Sequence, residues 1–419
     1  MIVLAIFIGV VFLVSLLSRR IDGSLLTAPM IFTAAGALTF ALPAARSVLE
    51  IERQTFLRIA ELGLVMLLFT DASRVSLKML GGHGRLPLRL LSTGMLLTIG
   101  LGAVFAMAIF GGLTWLEAGI LAAILAPTDA GLGQVIVTSP LVPERIRQAL
   151  NVEAGLNDGM AVPFMMFFIA LAAAAQSGAG SETALTHVLV EQLGYGAMVG
   201  IAIGLAGGWL LDLARRKEWM SGSFMQLGVV TLPLFSLMAA HATAASAFIA
   251  AFVAGLAAQV GFRNVGQHSV EFTEEWGQLL NFFVFFLFGM LAARAAGDIG
   301  LAFWLYALAS LTVVRMLPVA LALRGTGLSR ATVLFMGWFG PRGLASIVLG
   351  LVYLSENAAL TGESTIRLAV VATVLLSIVA HGVSVMPGIK LYARASAKLP
   401  AGAPDLAADS GGAAERGNA

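Results

Sequence analysis

The chain has 419 residues, 59% of them hydrophobic and 11% charged, with a mean hydropathy of +0.93. Soluble domains carry roughly a quarter charged residues, so this composition excludes a soluble domain and describes a polytopic membrane protein. A formal net charge of +2 argues against a nucleic-acid partner, and the lack of cysteine excludes disulfides, thiol chemistry and cysteine-bound metals.

Thirteen stretches are apolar and long enough to span a bilayer, at roughly 1–18, 24–43, 56–72, 88–112, 115–138, 147–175, 184–213, 224–241, 243–261, 276–293, 299–323, 328–355 and 365–392. Met1 to Leu17 has no basic start and no small-residue cleavage site, so it reads as a retained first span rather than a signal peptide. Loops are short, and residues 1–395 form one transmembrane unit. The tail, 396–419, is rich in Ala, Gly and Asp and is expected to be disordered and cytoplasmic.

Basic residues set the orientation. With the N-terminus outside, most Lys and Arg fall on the cytoplasmic side, including Arg19, Arg20, Arg215, Arg216 and Lys217. The outer side holds only Arg46, Arg53, Arg58, Arg294 and Arg367. The expected placement is the cell (inner) membrane, N-terminus out and C-terminus in, in agreement with an odd span count.

Two spans are interrupted. The fifth contains Leu125-Ala-Pro-Thr-Asp-Ala-Gly131 and the twelfth Gly337-Trp-Phe-Gly-Pro-Arg-Gly-Leu-Ala345. Proline removes a helix hydrogen bond and glycine permits unwinding. Each break carries a charge, Asp129 or Arg342. Their odd offset along the chain inverts one unit relative to the other, and paired breaks at corresponding positions point to a transporter's binding site.

The sixth span carries Glu153, Asn157 and Asp158. A carboxylate at the centre of a span costs roughly 2.5–3.5 kcal/mol on insertion scales, and such residues mark ion or proton paths. Glu153 and Asn157 share a helix face, while Asp158 is rotated about 100° further. Arg342 is the only basic residue near the predicted midplane, so the expected ion pair is Glu153 with Arg342. Asp158 then lacks a fixed cation and is free to hold a proton or a metal cation in turn. Asp129 is expected to compensate half-helix N-termini. Thr128 offers a carbonyl and a hydroxyl, and Asn157 a neutral amide that bridges the two elements.

Other polar residues read more plainly. Asp71 ends the third span on the cytoplasmic side, either as a solvated helix end or as an acid in a cytoplasmic funnel. Glu61 reads as structural, and Arg315 as snorkelling to the cytoplasmic interface. His83, His187 and His268 fall in loops, and His241 and His381 have no second ligand at metal spacing. No cofactor is expected, and no metal beyond a transported monovalent cation. The run Phe282, Phe283, Phe285, Phe286, Phe288 reads as packing or lipid-facing bulk, with Gly289 permitting close helix approach.

The Thr128-Asp129 break, the Glu153-x-x-x-Asn157-Asp158 helix and the Gly340-Pro-Arg-Gly343 break, in that order within thirteen spans, resemble the Na⁺/H⁺ antiporters of the monovalent cation:proton antiporter-1 family, NhaP type. The resemblance covers all but the tail. It implies an all-α fold of inverted repeats with two broken, crossing helices. It also implies a homodimer built from a dimerisation domain and a mobile core of six helices, the core taking in about 56–175 and part of 276–392. Alternating access would carry the ion site, with Asp158 binding cation or proton, Thr128 contributing ligands and Glu153 paired with Arg342. Asn157, where relatives have a second Asp, is associated with electroneutral one-for-one exchange. Two positions depart from the family: Ala154 stands where Ser often follows the Glu, and Thr70 where Glu often follows the Phe of the third span.

The expected function is secondary antiport of a monovalent cation (Na⁺, K⁺ or Li⁺) against H⁺, supporting pH homeostasis, with membrane lipids as surroundings. The alternatives are a cation-coupled organic anion symporter of related fold and a cation channel. A membrane enzyme is not expected, since the sequence has no paired nucleophile and base and no phosphate loop.

Overall fold

The computed structural model describes residues 2–21, 24–46, 53–74, 85–177, 186–243, 245–261, 267–355, 360–400 and 402–406. Each of the thirteen apolar stretches holds one helix or one broken helix. They are α1 (Ile2–Ile21), α2 (Ala28–Thr39), α3 (Arg53–Arg74), α4 (Leu86–Ile109), α5a (Trp115–Ile124), α5b (Ala130–Thr138) and α6 (Glu144–Ser177). Then come α7 (Gly196–Arg216, continuing a π-helix over His187–Tyr195), α8 (Gly222–Ala242), α9 (Ala247–Gly261), α10 (Gln267–Ala295) and α11 (Leu301–Ala322). The chain closes with α12a (Arg330–Trp338), α12b (Leu344–Ser355) and α13 (Glu363–Ser396). Eight of these are long and apolar enough to cross a membrane outright, and shorter apolar helices lie between them. At 10 residues α5a rises about 15 Å, half of a hydrocarbon core of about 30 Å. A break in mid-span therefore falls near the midplane.

The end of the bundle where α5a and α13 begin is the N face, and the end where α12a begins, beside residues 402–406, is the C face. The helices pack in two groups. One contains α1, α2, α3, α7, α8, α9 and α10; the other contains α4, α5, α6, α11, α12 and α13. The groups meet where α3 lies along α6 and α12b, and where α10 lies along α12b and α13.

Packing in the first group depends on small residues. A Cβ on Gly289 would stand 1.9 Å from the Thr33 carbonyl oxygen, and one on Gly36 would stand 1.8 Å from that of Phe286. The backbones of α2 and α10 thus touch where each carries a glycine. The phenylalanine run then closes around this contact. Phe282 stacks on Phe32 at 4.6 Å, and Phe283 meets Phe7 edge-on at 4.9 Å. These rings pack α10 against α1 and α2.

Carboxylates tie helix ends together on both faces. On the N face, Glu117 closes a capping box with Thr114 and also accepts from the Gly362 N–H at 2.6 Å and the Thr361 hydroxyl at 3.2 Å. The start of α5a is thereby fastened to the start of α13. On the C face, Asp405 is buried and accepts from the Ser329 N–H at 3.1 Å and the Ser329 hydroxyl at 2.9 Å, and also from the Thr332 hydroxyl. Arg145 donates to the Pro404 carbonyl at 2.5 Å.

This docking corrects the expectation of a tail disordered from residue 396. A buried carboxylate satisfies the N-terminal donors of α12a, so the tail is ordered at 402–406; 407–419 lie outside the described residues. Among the histidines, His83 also lies outside them. His187 and His268 belong to the first turns of helices rather than to loops, and His241 Nε2 lies 2.9 Å from Glu61 Oε1.

Candidate cation and proton site

The two breaks face each other and satisfy each other's backbone. Pro127 has no N–H, and α5a stops just before it. The carbonyls of Ala126 and Pro127, in the break that follows, accept from Arg342 Nη1 at 2.6 and 2.9 Å. Asp129 serves the opposite polarity. Its Oδ1 accepts from the Leu132 N–H at 3.0 Å, capping α5b, and its Oδ2 accepts from the Leu344 N–H at 2.5 Å, capping α12b. The Asp129 N–H donates to the Pro341 carbonyl at 2.8 Å. Gly343 has to be glycine here, since a Cβ would stand 2.0 Å from Asp129 Oδ2. A cation thus meets orphan carbonyls and an anion meets two helix N-termini, and every one of these groups is buried.

Helix α6 passes beside this crossing. Asn157 Nδ2 donates to Thr128 Oγ1 at 2.6 Å, the bridge expected from sequence. Asn157 Oδ1 and Asp158 Oδ1 are buried and have no hydrogen-bond partner among the described residues. Asp158 is 3% exposed. Buried polar atoms in native proteins are almost always paired, so two such oxygens side by side call for a functional explanation. Asp71 sits on α3, which belongs to the other helix group and packs along α6. Phe252 of α9 packs over Gly159, the residue after Asp158. The site lies in the seam between the groups.

The expected pair of Glu153 with Arg342 does not form. Glu153 Oε1 is 2.6 Å from Arg315 Nη1, and both side chains are 3% exposed. Arg342 Nη1 instead donates to the carbonyls of Ala126 and Pro127, and its Nε and Nη2 have no hydrogen-bond partner among the described residues. Arg315 does not snorkel. It enters the bundle because α11 is interrupted at Thr312, which has φ −106 and ψ −92. One turn later the guanidinium lies against Gly340, where a Cβ would stand 2.3 Å from Arg315 Nε. No proline or glycine marks the interruption of α11, so the sequence offered only a guanidinium inside a span as a signal.

Two spaces border the site. A cavity of about 20 Å³ lies between Thr128, Asp129, Ala154 and Pro341, enough for one water-sized occupant. A larger cavity of about 400 Å³ opens on the N face between α3, α10, α12b and α13, with Arg294, Asp298, Glu363 and Arg367 among its lining and Phe288 and Ile347 deeper in. Among the described residues, no cluster of three His, Asp or Glu side chains could hold a resident metal ion.

Comparisons with known proteins agree with this architecture. The family described as sodium/hydrogen exchanger, transmembrane, matches residues 1–390. The Na(+)/H(+) antiporter of Schizosaccharomyces pombe is 28% identical over 327 residues, 71% of this chain and 69% of that protein. The K(+)/H(+) antiporter NhaP of Alkalimonas amylolytica is 26% identical over 400 residues, 91% of this chain and 65% of that protein. Na(+)/H(+) antiporter 2 of Zygosaccharomyces rouxii is 26% identical over 279 residues, 63% of this chain and 34% of that protein. The chain thus spans from about one third to about two thirds of the length of these curated relatives. Among solved structures, the sodium proton antiporter MjNhaP1 from Methanocaldococcus jannaschii at pH 8 superposes with a TM-score of 0.72 at 19% identity, covering 94% of this chain and 99% of that one. The family match over nearly the whole chain, together with the many apolar helices, establishes that this protein is a multi-pass membrane protein of the sodium/hydrogen exchanger family.

Proposed function

We propose that the chain is a secondary active antiporter exchanging a monovalent cation for H⁺. The observation that carries this reading is Asp158 Oδ1, a buried carboxylate oxygen without a donor among the described residues, beside two crossed, broken helices. A hard cation such as Na⁺ or Li⁺ takes oxygen ligands. Asp158, the Asn157 amide oxygen and the groups at the α5 break supply oxygens of that kind. A proton on Asp158 and a cation on Asp158 neutralise the same charge, so the two compete and exchange one for one. Asn157 adds no second titrating group, which makes the cycle electroneutral. The names of relatives supply both Na⁺ and K⁺ as cargo. The space of about 20 Å³ beside the break suits an ion and not an organic anion.

The two helix groups take the two roles of an alternating-access machine. The group of α4, α5, α6, α11, α12 and α13 moves with the site. The other group holds Asp71 at its boundary and forms a homodimer. This division refines the boundary at residue 56: α3 packs with the static group and lines the seam. The cavity on the N face is the outer mouth and Asp71 an acid of the cytoplasmic funnel. The Lys and Arg distribution supports an N-terminus outside the inner membrane.

In proteoliposomes with an imposed pH gradient, the wild-type protein collapses the gradient when Na⁺, Li⁺ or K⁺ is added, and Asp158→Asn abolishes this. Full activity in that variant, or a transport current that tracks membrane potential, would overturn the carboxylate role or the electroneutral stoichiometry respectively.

A further inference from the structure

The α12 break leaves Phe339–Gly343 outside any helix, in a segment with two glycines and a proline. Its ends therefore need partners from elsewhere. Asp129 and Arg342 account for the side facing α5. The other side faces α13, which contributes Ser377 and His381, one helical turn apart on one face. Ser377 Oγ accepts from the Arg342 N–H at 2.7 Å. His381 Nε2 stands 2.9 Å from the Trp338 carbonyl oxygen, the last carbonyl of α12a. A carbonyl can only accept, so the tautomer with its proton on Nε2 donates here, and Nδ1 then accepts from the Ser377 hydroxyl. The Gly340 N–H donates to the same oxygen at 2.9 Å. His381 Nδ1 lies 3.1 Å from Ser377 Oγ and 3.0 Å from the Ser377 carbonyl, so the two side chains are joined to each other as well. Both residues are buried, Ser377 at 0% and His381 at 3% exposure. The Trp338 ring lies 5.1 Å from the His381 ring, and its Nε1 donates to Ser384 Oγ at 2.9 Å.

We infer that Ser377 and His381 form a splint on α13 that fixes the geometry of the α12 break, which makes His381 a positioning residue for the cation site. The splint holds the carboxyl end of α12a through Trp338 and the amino end of α12b through Arg342. With both ends fixed, the Arg342 guanidinium reaches the Ala126 and Pro127 carbonyls and the Leu344 N–H reaches Asp129. His381 touches none of the oxygens offered to the ion; it acts through the break. The transport consequence rests on the antiporter reading, while the structural one does not.

The test uses the full-length protein and four variants, His381→Gln, His381→Ala, Ser377→Ala and the double Ala variant. Hydrogen exchange is followed over 338–345, and antiport is measured in proteoliposomes. His381→Ala and Ser377→Ala speed exchange in this segment and raise the apparent KM for the cation about tenfold, as expected when a buried backbone group loses its partner. Vmax changes less. His381→Gln places an amide N–H where Nε2 stood and keeps both readouts near wild type. The double variant is no worse than His381→Ala alone, because the two act as one unit. Unchanged exchange in His381→Ala, a Gln variant as impaired as the Ala variant, or fully additive effects in the double variant each overturn the splint. Should wild type fail to move cations, the antiporter reading falls, and the exchange measurement still decides the splint.

Discussion

Two aspartates, 29 positions apart and both buried, have opposite surroundings. Asp129 has a backbone N–H on each carboxylate oxygen and a fixed role between two helix N-termini. Asp158 has an oxygen with no donor among the described residues. The same contrast separates their neighbourhoods. At the crossing, Arg342, Ser377 and His381 pair with main-chain groups. On the adjoining face of α6, Asn157 and Asp158 keep oxygens open. Asp129, with both oxygens taken, serves the framework, and in the proposed mechanism Asp158, with one oxygen open, takes the ion.

The sharpest way to break this contrast is to neutralise each aspartate. Asp158→Asn keeps the fold, since Asp158 Oδ1 has no donor among the described residues, and abolishes exchange. Asp129→Asn weakens two caps at once and lowers thermal stability measurably in detergent. The contrast fails if the first variant unfolds and the second does not. Next in size is the buried ion pair. Arg315→Met strands Glu153 and costs roughly 3–5 kcal/mol, read as a loss of thermal stability. Adding Glu153→Gln restores a large part of it, and the same addition does not rescue Arg342→Met, whose partners are carbonyls. Equal rescue of both arginine variants would return Glu153 to Arg342. Smaller still, Asp405→Asn removes charge from the α12a cap and lowers stability by about 1 kcal/mol, with cation affinity unchanged. The mildest is Ala154→Ser, which puts a hydroxyl beside the small cavity at Thr128 and shifts the apparent cation KM about threefold. An unaltered KM for all three alkali cations would remove that space from the ion's path.

Both breaks are legible in the sequence because proline and glycine leave no doubt about where a helix hydrogen bond is lost. The Asn157 to Thr128 bridge is legible too, because polar residues that cannot reach water inside a span must reach each other. The partner of Glu153 is not. Two guanidiniums lie within spans, and choosing between them depends on which one finds orphan carbonyls, a fact of tertiary packing. His381 reads as a lone histidine on an apolar helix, since its partner is the carbonyl of Trp338 and main-chain acceptors carry no sequence signature. The docking of Asp405 is hidden for a similar reason: a polar tail without periodicity gives no sign that it supplies a cap to Ser329 and Thr332.

The central claim is that cation and proton take turns on Asp158. Purified protein in weakly buffered detergent solution tests this without membranes or orientation. Adding Na⁺, Li⁺ or K⁺ to the wild-type protein should release about one proton per chain for a transported ion, as expected when a metal cation replaces the proton of a single carboxyl group. The same addition to Asp158→Asn should release none. Proton release of wild-type size from that variant would contradict the account.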